Sequence, residues 1–472
     1  MSRYFTYRSP DELRADIDGR GLEIDLADRV NLLLQPLRIG PLTAGNRLAI
    51  HPMEGCDATL DGRPGELTFR RWERFGAGGA KLIWGEATAV VPEGRANARQ
   101  LFISPETAPD LERLLAATRS AHRQRFGRDD LLVGLQLTHS GRWSHPRPLL
   151  AQHIPPVDAA KRLSADYPLL DDAYLEQLED RFADAAALAW RMGFDFVDVK
   201  QCHTYLLNEL LAARDRPGPY GGDFEGRTRF VRNVIGKIRS RVGAGLLLAS
   251  RVNVYDGPPF EKGADSVGRP AGSGPYPWGF GTDAEQPLEP DLAEPLRLIG
   301  LLWDLGVVMV NVTMGSPYLN PHIGRPFERP PLDGYQAPEH PLVGVARHFR
   351  VAAAVQEAYP DLVVVGTGYS WLRHYAALAG EANVQAGRVS MMGLGRGALA
   401  YPDFAVDLME RGEMSDRKAC LGVSYCTALM RAKNNELGQF PTGCVPRDPL
   451  YAAQFKLIKG VADVDARRPA EP

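Results

Sequence analysis

The stretch VKQCHTYLLNELL (199–211) holds three side chains that handle charge and protons close together: Lys200, His203 and Tyr205. A lysine and a histidine can each donate to a carbonyl oxygen and stabilise negative charge developing there. A tyrosine beside them can deliver a proton. Tyr205 also suits a residue that starts a helix and packs as core, and spacing alone leaves both readings open. Two glycine-rich turns point to different chemistry. GTG (366–368) and GLGR (393–396) let backbone N–H groups approach an anion closely, and Arg396 adds a fork of donors. At the ends of two successive apolar runs they indicate a phosphorylated ligand. Gln136 and Arg251 end two further runs. Gln136 can pair with the edge of a flavin-like ring, and Arg251 can neutralise such a ring when it is reduced and anionic. A buried arginine is costly without a negative partner, so a salt bridge inside the fold is the other reading of Arg251.

These residues need a frame that brings them together. Eight short apolar runs supply it: RLAIH (47–51), AKLIWGE (80–86), LLVGLQL (131–137), FDFVDVK (194–200), LLLASRV (246–252), VVMVNVT (307–313), LVVVGTG (362–368) and VSMMGLG (389–395). Near-continuous runs of this length suit strands buried on both faces, as parallel strands are. Amphipathic stretches between them predict helices, most clearly over 109–127 and over 172–193, which closes on Gly193. Eight strand–helix units in series predict an α/β fold, a (β/α)8 TIM barrel, rather than an open sheet. In such a barrel, polar residues at the strand C-terminal ends face one shared mouth.

The barrel is expected over 35–410, behind an N-terminal extension at 1–34. A Gly/Pro-rich insertion at 256–290 follows the fifth strand and reads either as a surface loop or as a lid over the mouth. A tail at 411–472 carries three of the five cysteines. The formal net charge of −3 gives no reason to expect nucleic acid or an anionic membrane as partner. There is no apolar run of ~18 residues and no signal-peptide core, and an odd number of cysteines is no disulfide framework. A cytoplasmic location is therefore expected.

Six pieces, in order, carry a likeness to a known family. They are PLRIGPLTAGNRLAIHPM (36–53), GAKLIWGEATAVVPEGR (79–95), GLQLTHSGR (134–142), CHTYLLNELL (202–211), YGGDFEGRTRF (220–230) and MMGLGRGALAYPDF (391–404). With them the chain resembles the old yellow enzyme family of NAD(P)H:flavin oxidoreductases over about 35–410. Within it the likeness is to a single-barrel relative of the 2,4-dienoyl-CoA reductase and trimethylamine dehydrogenase branch. The resemblance implies noncovalent FMN, with NADH or NADPH as reductant. Pro52, Met53 and Ala87 would line the ring, Gln136 its pyrimidine edge and Arg251 its N1/O2 side. Gly366, Gly368, Gly395 and Arg396 would hold the phosphate. Lys200 and His203 fall on the pair that grips a substrate carbonyl, and Tyr205 falls on the proton-donating tyrosine. Tyr220 and Arg227 would brace a loop. The implied reaction passes hydride from NAD(P)H to flavin N5, then to the β-carbon of an enone or enoate. Tyr205 or water protonates the α-carbon.

Two positions depart from the family. Lys200 stands where a histidine is usual, and Glu54 where a cysteine or threonine is usual. Three readings follow: Glu54 and Lys200 are electrostatically coupled, Lys200 meets an anionic substrate, or neither does chemistry. Larger relatives hold an iron–sulfur cluster on a Cys-x2-Cys-x2-Cys run and a distant cysteine. Here the run is Cys420, Val423, Cys426 and Cys444, and valine cannot bind iron. No metal is therefore expected. Cys56 and Cys202 read as small buried hydrophobes and His139 as structural. The first function is thus an ene-reductase acting on a small molecule. The alternative is a flavin dehydrogenase that oxidises an amine or alcohol and passes electrons to a carrier protein. A third, non-enzymatic reading is a barrel that has lost its flavin, against which the two phosphate-type turns and Gln136 argue. A homo-oligomer is a further candidate assembly.

Overall fold

The computed structural model describes residues 3–432 and 439–458. Residues 1–2 of the extension, and 433–438 and 459–472 of the tail, lie outside the described residues. All eight apolar runs are strands: β1 (Leu48–Ile50), β2 (Leu82–Ala89), β3 (Leu132–Thr138), β4 (Phe196–Val199), β5 (Leu247–Asn253), β6 (Val307–Thr313), β7 (Val363–Gly366) and β8 (Met391–Leu394). They pair in parallel and in chain order, and β8 closes on β1 to complete the barrel.

Closure explains why the runs are apolar on both faces. One face fills the barrel with Ala49, Leu82, Trp84, Phe196, Met309, Val365 and Met391. Gly134 leaves room there for Phe196, whose ring would lie 2.2 Å from any Cβ at that position. The other face packs on eight helices: α1 (Glu66–Gly76), α2 (Ala108–Phe126), α3 (Asp172–Met192), α4 (Phe224–Val242), α5 (Ala293–Asp304), α6 (Pro341–Ala358), α7 (Ala376–Gln385) and α8 (Phe404–Arg411). The two helices expected most clearly are α2 and α3. Each stops at a glycine in the left-handed region, Gly127 (φ 62°) and Gly193 (φ 91°), which satisfies the last carbonyls. Asp171 starts α3 by accepting from the Tyr174 N–H at 2.7 Å. The buried stripe of α3, including Leu175, Leu178 and Phe182, is worth about 1.5–3 kcal/mol for each large side chain removed from water.

A short hairpin, Leu37–Ile39 with Leu42–Ala44, packs Ile39 and Ala44 into the barrel core. The N-terminal extension is tied down by Glu328, which accepts from the N–H groups of Arg3, Tyr4 and Phe5 at 2.9–3.0 Å. The 256–290 insertion folds as a packed module around a two-stranded ribbon, Phe260–Lys262 with Gly268–Pro270. Its first residue, Asp256, accepts from Asn208, Asn253 and the Phe280 N–H, and Phe280 is fully buried. The described part of the tail forms two short helices, Tyr425–Arg431 and Pro449–Lys456, around a small core of Leu429, Phe440, Tyr451 and Phe455. The Thr442 N–H donates to the Gly55 carbonyl at 2.6 Å, which lays the tail against the mouth beside β1. No helix among the described residues is long and apolar enough to cross a membrane.

Candidate active site at the barrel mouth

A cavity of about 190 Å³ opens at the C-terminal ends of the strands. It gathers Pro52, Met53 and Glu54 from beyond β1, Ala87 from β2, Gln136 from β3 and Arg251 from β5. Lys200, His203 and Tyr205 reach it from beyond β4, Gly368 from beyond β7, and Gly395 and Arg396 from beyond β8. Gly366 is not in its wall; it ends β7 and sits 3.0 Å, measured from a Cβ, behind the Tyr369 hydroxyl. No residue of 256–290 lines the cavity. The segment after β6, with Tyr318 and Arg325, and the tail, with Thr427, Met430 and Thr442, close it instead.

Asp198 in β4 organises the floor. It accepts from Trp84 Nε1 (2.7 Å), Gln136 Nε2 (2.6 Å) and the Arg251 N–H (2.7 Å). Gln136 is therefore fixed at the cavity edge. Arg251 has no salt bridge among the described residues, so that reading of it does not hold. Its Nε is buried without a partner. Asp198 offsets its charge in part without forming an ion pair, and such a cation in a cavity wall suits an anionic ligand.

His51, at the end of β1, also lines the cavity. The Asn311 amide stands 2.7 Å from its Nδ1, and burial followed by the charge of Arg251 holds its pKa well below the usual value. Only glycine at 393 leaves room for this ring, because a Cβ there would lie 2.2 Å from Cε1. The rule that singled out Gln136 and Arg251, a polar residue closing an apolar run, applies equally to His51. Tyr318, Arg325, Thr427 and Thr442 carry no such signal.

The backbone beyond β4 is strained. His203 (φ 66°) and Thr204 (φ 55°) both adopt the left-handed region, an uncommon choice for a β-branched residue. Three contacts hold the bend. Asn208 Oδ1 accepts from the Thr204 N–H (2.6 Å), Trp143 Nε1 donates to Thr204 Oγ1 (2.8 Å), and Ser316 Oγ donates to the His203 carbonyl (3.3 Å). Tyr205 is the N-cap of the short helix Leu206–Leu211 and is 4% exposed, as the helix-start reading expects, and it also lines the cavity. Its hydroxyl lies 3.2 Å from that of Tyr318, whose ring stacks on Trp143 at 4.0 Å.

Burial dominates the electrostatics. It pushes Lys200 down to about 8, against the pull of Cys202 and Glu54. It pushes Glu54 up to about 7, opposed by Lys200 and by the hydrogen bond from Asn97. Glu54 and Lys200 form no ion pair among the described residues, so each feels the other across the cavity rather than in contact. Burial, then Arg251 and Lys200, keep His203 neutral, and burial raises Tyr205 so that it stays protonated. The loop bearing Glu54 is rigid: the Gly55 N–H donates to Glu86 (3.0 Å), which also accepts from Trp72 Nε1 (2.9 Å) and Arg71.

His139, Tyr220 and Arg227 also lie outside the cavity, whereas Cys426 of the tail lines it. His139 is buried between the Gly141 N–H and the Tyr174 hydroxyl. Tyr220 donates to Glu179, and Arg227 reaches Glu294 and the Gly222 carbonyl, both as braces. Cys420, Cys426 and Cys444 line a second, small cavity together with Arg325 and Arg396. Among the described residues, no group of three or more His, Cys, Asp or Glu side chains is arranged to hold a metal ion.

The partnerless Arg251, the fixed amide of Gln136 and a glycine-and-arginine cradle at one mouth suit a phosphorylated, redox-active ring. That combination on a closed parallel barrel defines the class of flavin-holding oxidoreductase barrels. The chain belongs to the NADH:flavin oxidoreductase / NADH oxidase family, whose model matches residues 32–270. It is 29% identical over 249 residues to an NADPH dehydrogenase of Geobacillus sp. (strain WCH70), an alignment spanning 51% of this chain and 65% of that protein. Its fold is similar to the old yellow enzyme homologue of Zymomonas mobilis (TM-score 0.56, 19% identity), covering 82% of this chain and 95% of that one. It is also similar to histamine dehydrogenase from Rhizobium sp. 4-9 (TM-score 0.61, 19% identity), covering 90% of this chain and 53% of that one.

Proposed function

We propose that the protein binds FMN at the barrel mouth and, with NADH or NADPH as reductant, reduces an activated carbon–carbon double bond of enone or enoate type. The observation that supports this best is one cavity shared by a partnerless Arg251, the Gly368, Gly395 and Arg396 cradle, and the Lys200, His203 and Tyr205 cluster. The family match and the NADPH dehydrogenase relative agree with it.

FMN, when bound, supplies hydride transfer from its N5 to an electron-poor carbon. The protein supplies placement and charge. Gly368, Gly395 and Arg396 hold the phosphate, Gln136 the ring edge, and Arg251 the counter-charge. Pro52, Met53 and Ala87 cover the ring with apolar surface and keep water off it. His203, neutral because it is buried, donates an N–H to the substrate carbonyl, and Lys200 adds positive charge there below about pH 8. Both act most strongly in the transition state, when negative charge builds on that oxygen. Tyr205 holds its proton across neutral pH and delivers it to the α-carbon. The Tyr318 hydroxyl, 3.2 Å away, stands next in line to replace it.

Product analysis tests the reading. FMN-loaded protein, NADPH or NADH, and a panel of cyclic enones and enoates should yield the saturated carbonyl compounds. Reoxidation of reduced enzyme by none of the panel, together with reduction of oxidised enzyme by amines or alcohols, would establish the dehydrogenase alternative instead.

A further inference from the structure

Arg325 follows the short helix Pro321–Gly324 in the segment after β6 and lines the mouth together with Arg396. The two arginines also share the wall of the small cavity, about 20 Å³, that they form with the three tail cysteines. Neither is paired with a carboxylate among the described residues. Arg325 Nη2 donates to Ser424 Oγ (2.6 Å), while its Nε is buried without a partner. Arg396 Nη1 donates to Cys426 Sγ (3.2 Å) and to Thr427 Oγ1. Two neighbouring, partly desolvated cations repel each other; against the effect of burial, together they lower the pKa of Cys426, whose single sulfur can offset at most one of the two charges. The arrangement calls for an anion with enough charge for both.

We propose that Arg325 is a second ligand of the FMN phosphate, and that the tail segment 420–427 is the brace that aims Arg325 and Arg396 at it. The inference rests on the FMN reading above. A phosphate monoester carries about −1.5 to −2 charges near neutral pH and offers oxygens to two guanidinium forks at once. Burial, and then the repulsion of Arg396, push Arg325 down to about 9, the direction expected of a cation still lacking its counter-ion. Ser424 adopts a left-handed backbone (φ 58°) where it meets Arg325, and its hydroxyl donates a hydrogen bond to the Arg329 carbonyl (2.6 Å). Strain of this kind persists where surrounding contacts dictate it. The cysteine run thus acquires a use that needs no metal: Ser424 holds one arginine, and Cys426 with Thr427 holds the other.

The test uses the full chain stripped of flavin and titrated with FMN and with riboflavin, which lacks the phosphate, by quenching of flavin fluorescence. Arg325→Met should raise the FMN Kd about ten-fold or more and leave the riboflavin Kd within about two-fold. Arg325→Lys should recover part of the loss, because it returns the charge without the fork. Ser424→Gly keeps the backbone conformation and removes the hydroxyl, and should weaken FMN severalfold with riboflavin unchanged. An unaltered preference for FMN over riboflavin in Arg325→Met and Ser424→Gly would overturn the clamp. Wild-type protein that binds neither flavin would overturn the FMN reading itself, a different result.

Discussion

The ammonium of Lys200 lies 3.4 Å from the centroid of the Tyr205 ring. A desolvated cation on an aromatic face is worth up to about 2 kcal/mol, so the lysine that departs from the family pattern also fixes the tyrosine proposed as proton donor. The Tyr205 hydroxyl is held from the other side by Tyr318. In the proposed reaction, carbonyl binding and proton delivery would therefore share one positioned pair.

That pair sets a pH limit. Lys200 is pushed down to about 8, so its charge is lost as pH rises through that value. The kcat/KM of the wild type for an enone should fall above about pH 8. In Lys200→Met the rate should be lower and this limb absent. A pH profile in which the limb persists in the variant would assign it to another group.

Glu54 makes stability depend on pH. Its folded-state pKa of about 7 lies above the ordinary 4.5, so the folded protein binds this proton more tightly than the unfolded chain does. Ionising Glu54 therefore costs stability, increasingly from about pH 4.5 to 7 and constantly above. Urea denaturation should show Glu54→Gln gaining about 1–2 kcal/mol on the wild type between pH 5 and pH 8. A difference that does not change with pH would contradict this.

Coupling across the cavity is measurable without an ion pair. In a cycle of Glu54→Gln and Lys200→Met at pH 7.5, the effects on stability should depart from additivity by about 0.5–3 kcal/mol. Additive effects would leave the two residues independent.

Gly393 is the seat of His51. Gly393→Ala places a methyl 2.2 Å from the His51 ring, and His51 is hydrogen-bonded to Asn311 and confined by the barrel wall. The expected cost is about 1–3 kcal/mol of overpacking, with reduced FMN content on purification. A variant with unchanged Tm and full flavin would show that the ring moves freely aside.

Much of this arrangement is written locally. β1 to β8 announce themselves because closing a parallel barrel buries both faces of every strand, and Gln136, Lys200 and Arg251 stand out as polar residues on or just past such runs. Glu54 and Lys200 are visible as departures from a pattern. Tyr318, Arg325, Thr427 and Thr442 are not visible, because only tertiary contacts bring them to the mouth. Thr442 reaches Gly55 from the far end of the chain, and Tyr318 finds its place by stacking on Trp143. The left-handed turn at His203 and Thr204 is hidden for the same reason, since Asn208, Trp143 and Ser316 hold it rather than any glycine. The 256–290 insertion looks like a lid by position alone; none of its residues lines the cavity, and it packs behind the wall instead, where Tyr276 and Trp278 cluster with Trp143 and Tyr318.

The central claim is that this mouth holds a flavin that NAD(P)H can reduce. The most direct test is the anaerobic visible absorbance spectrum of the purified protein incubated with FMN and freed of excess, before and after NADPH or NADH. A retained flavin band that bleaches on adding either nucleotide is the predicted result. A protein that stays colourless after incubation with FMN would contradict the account.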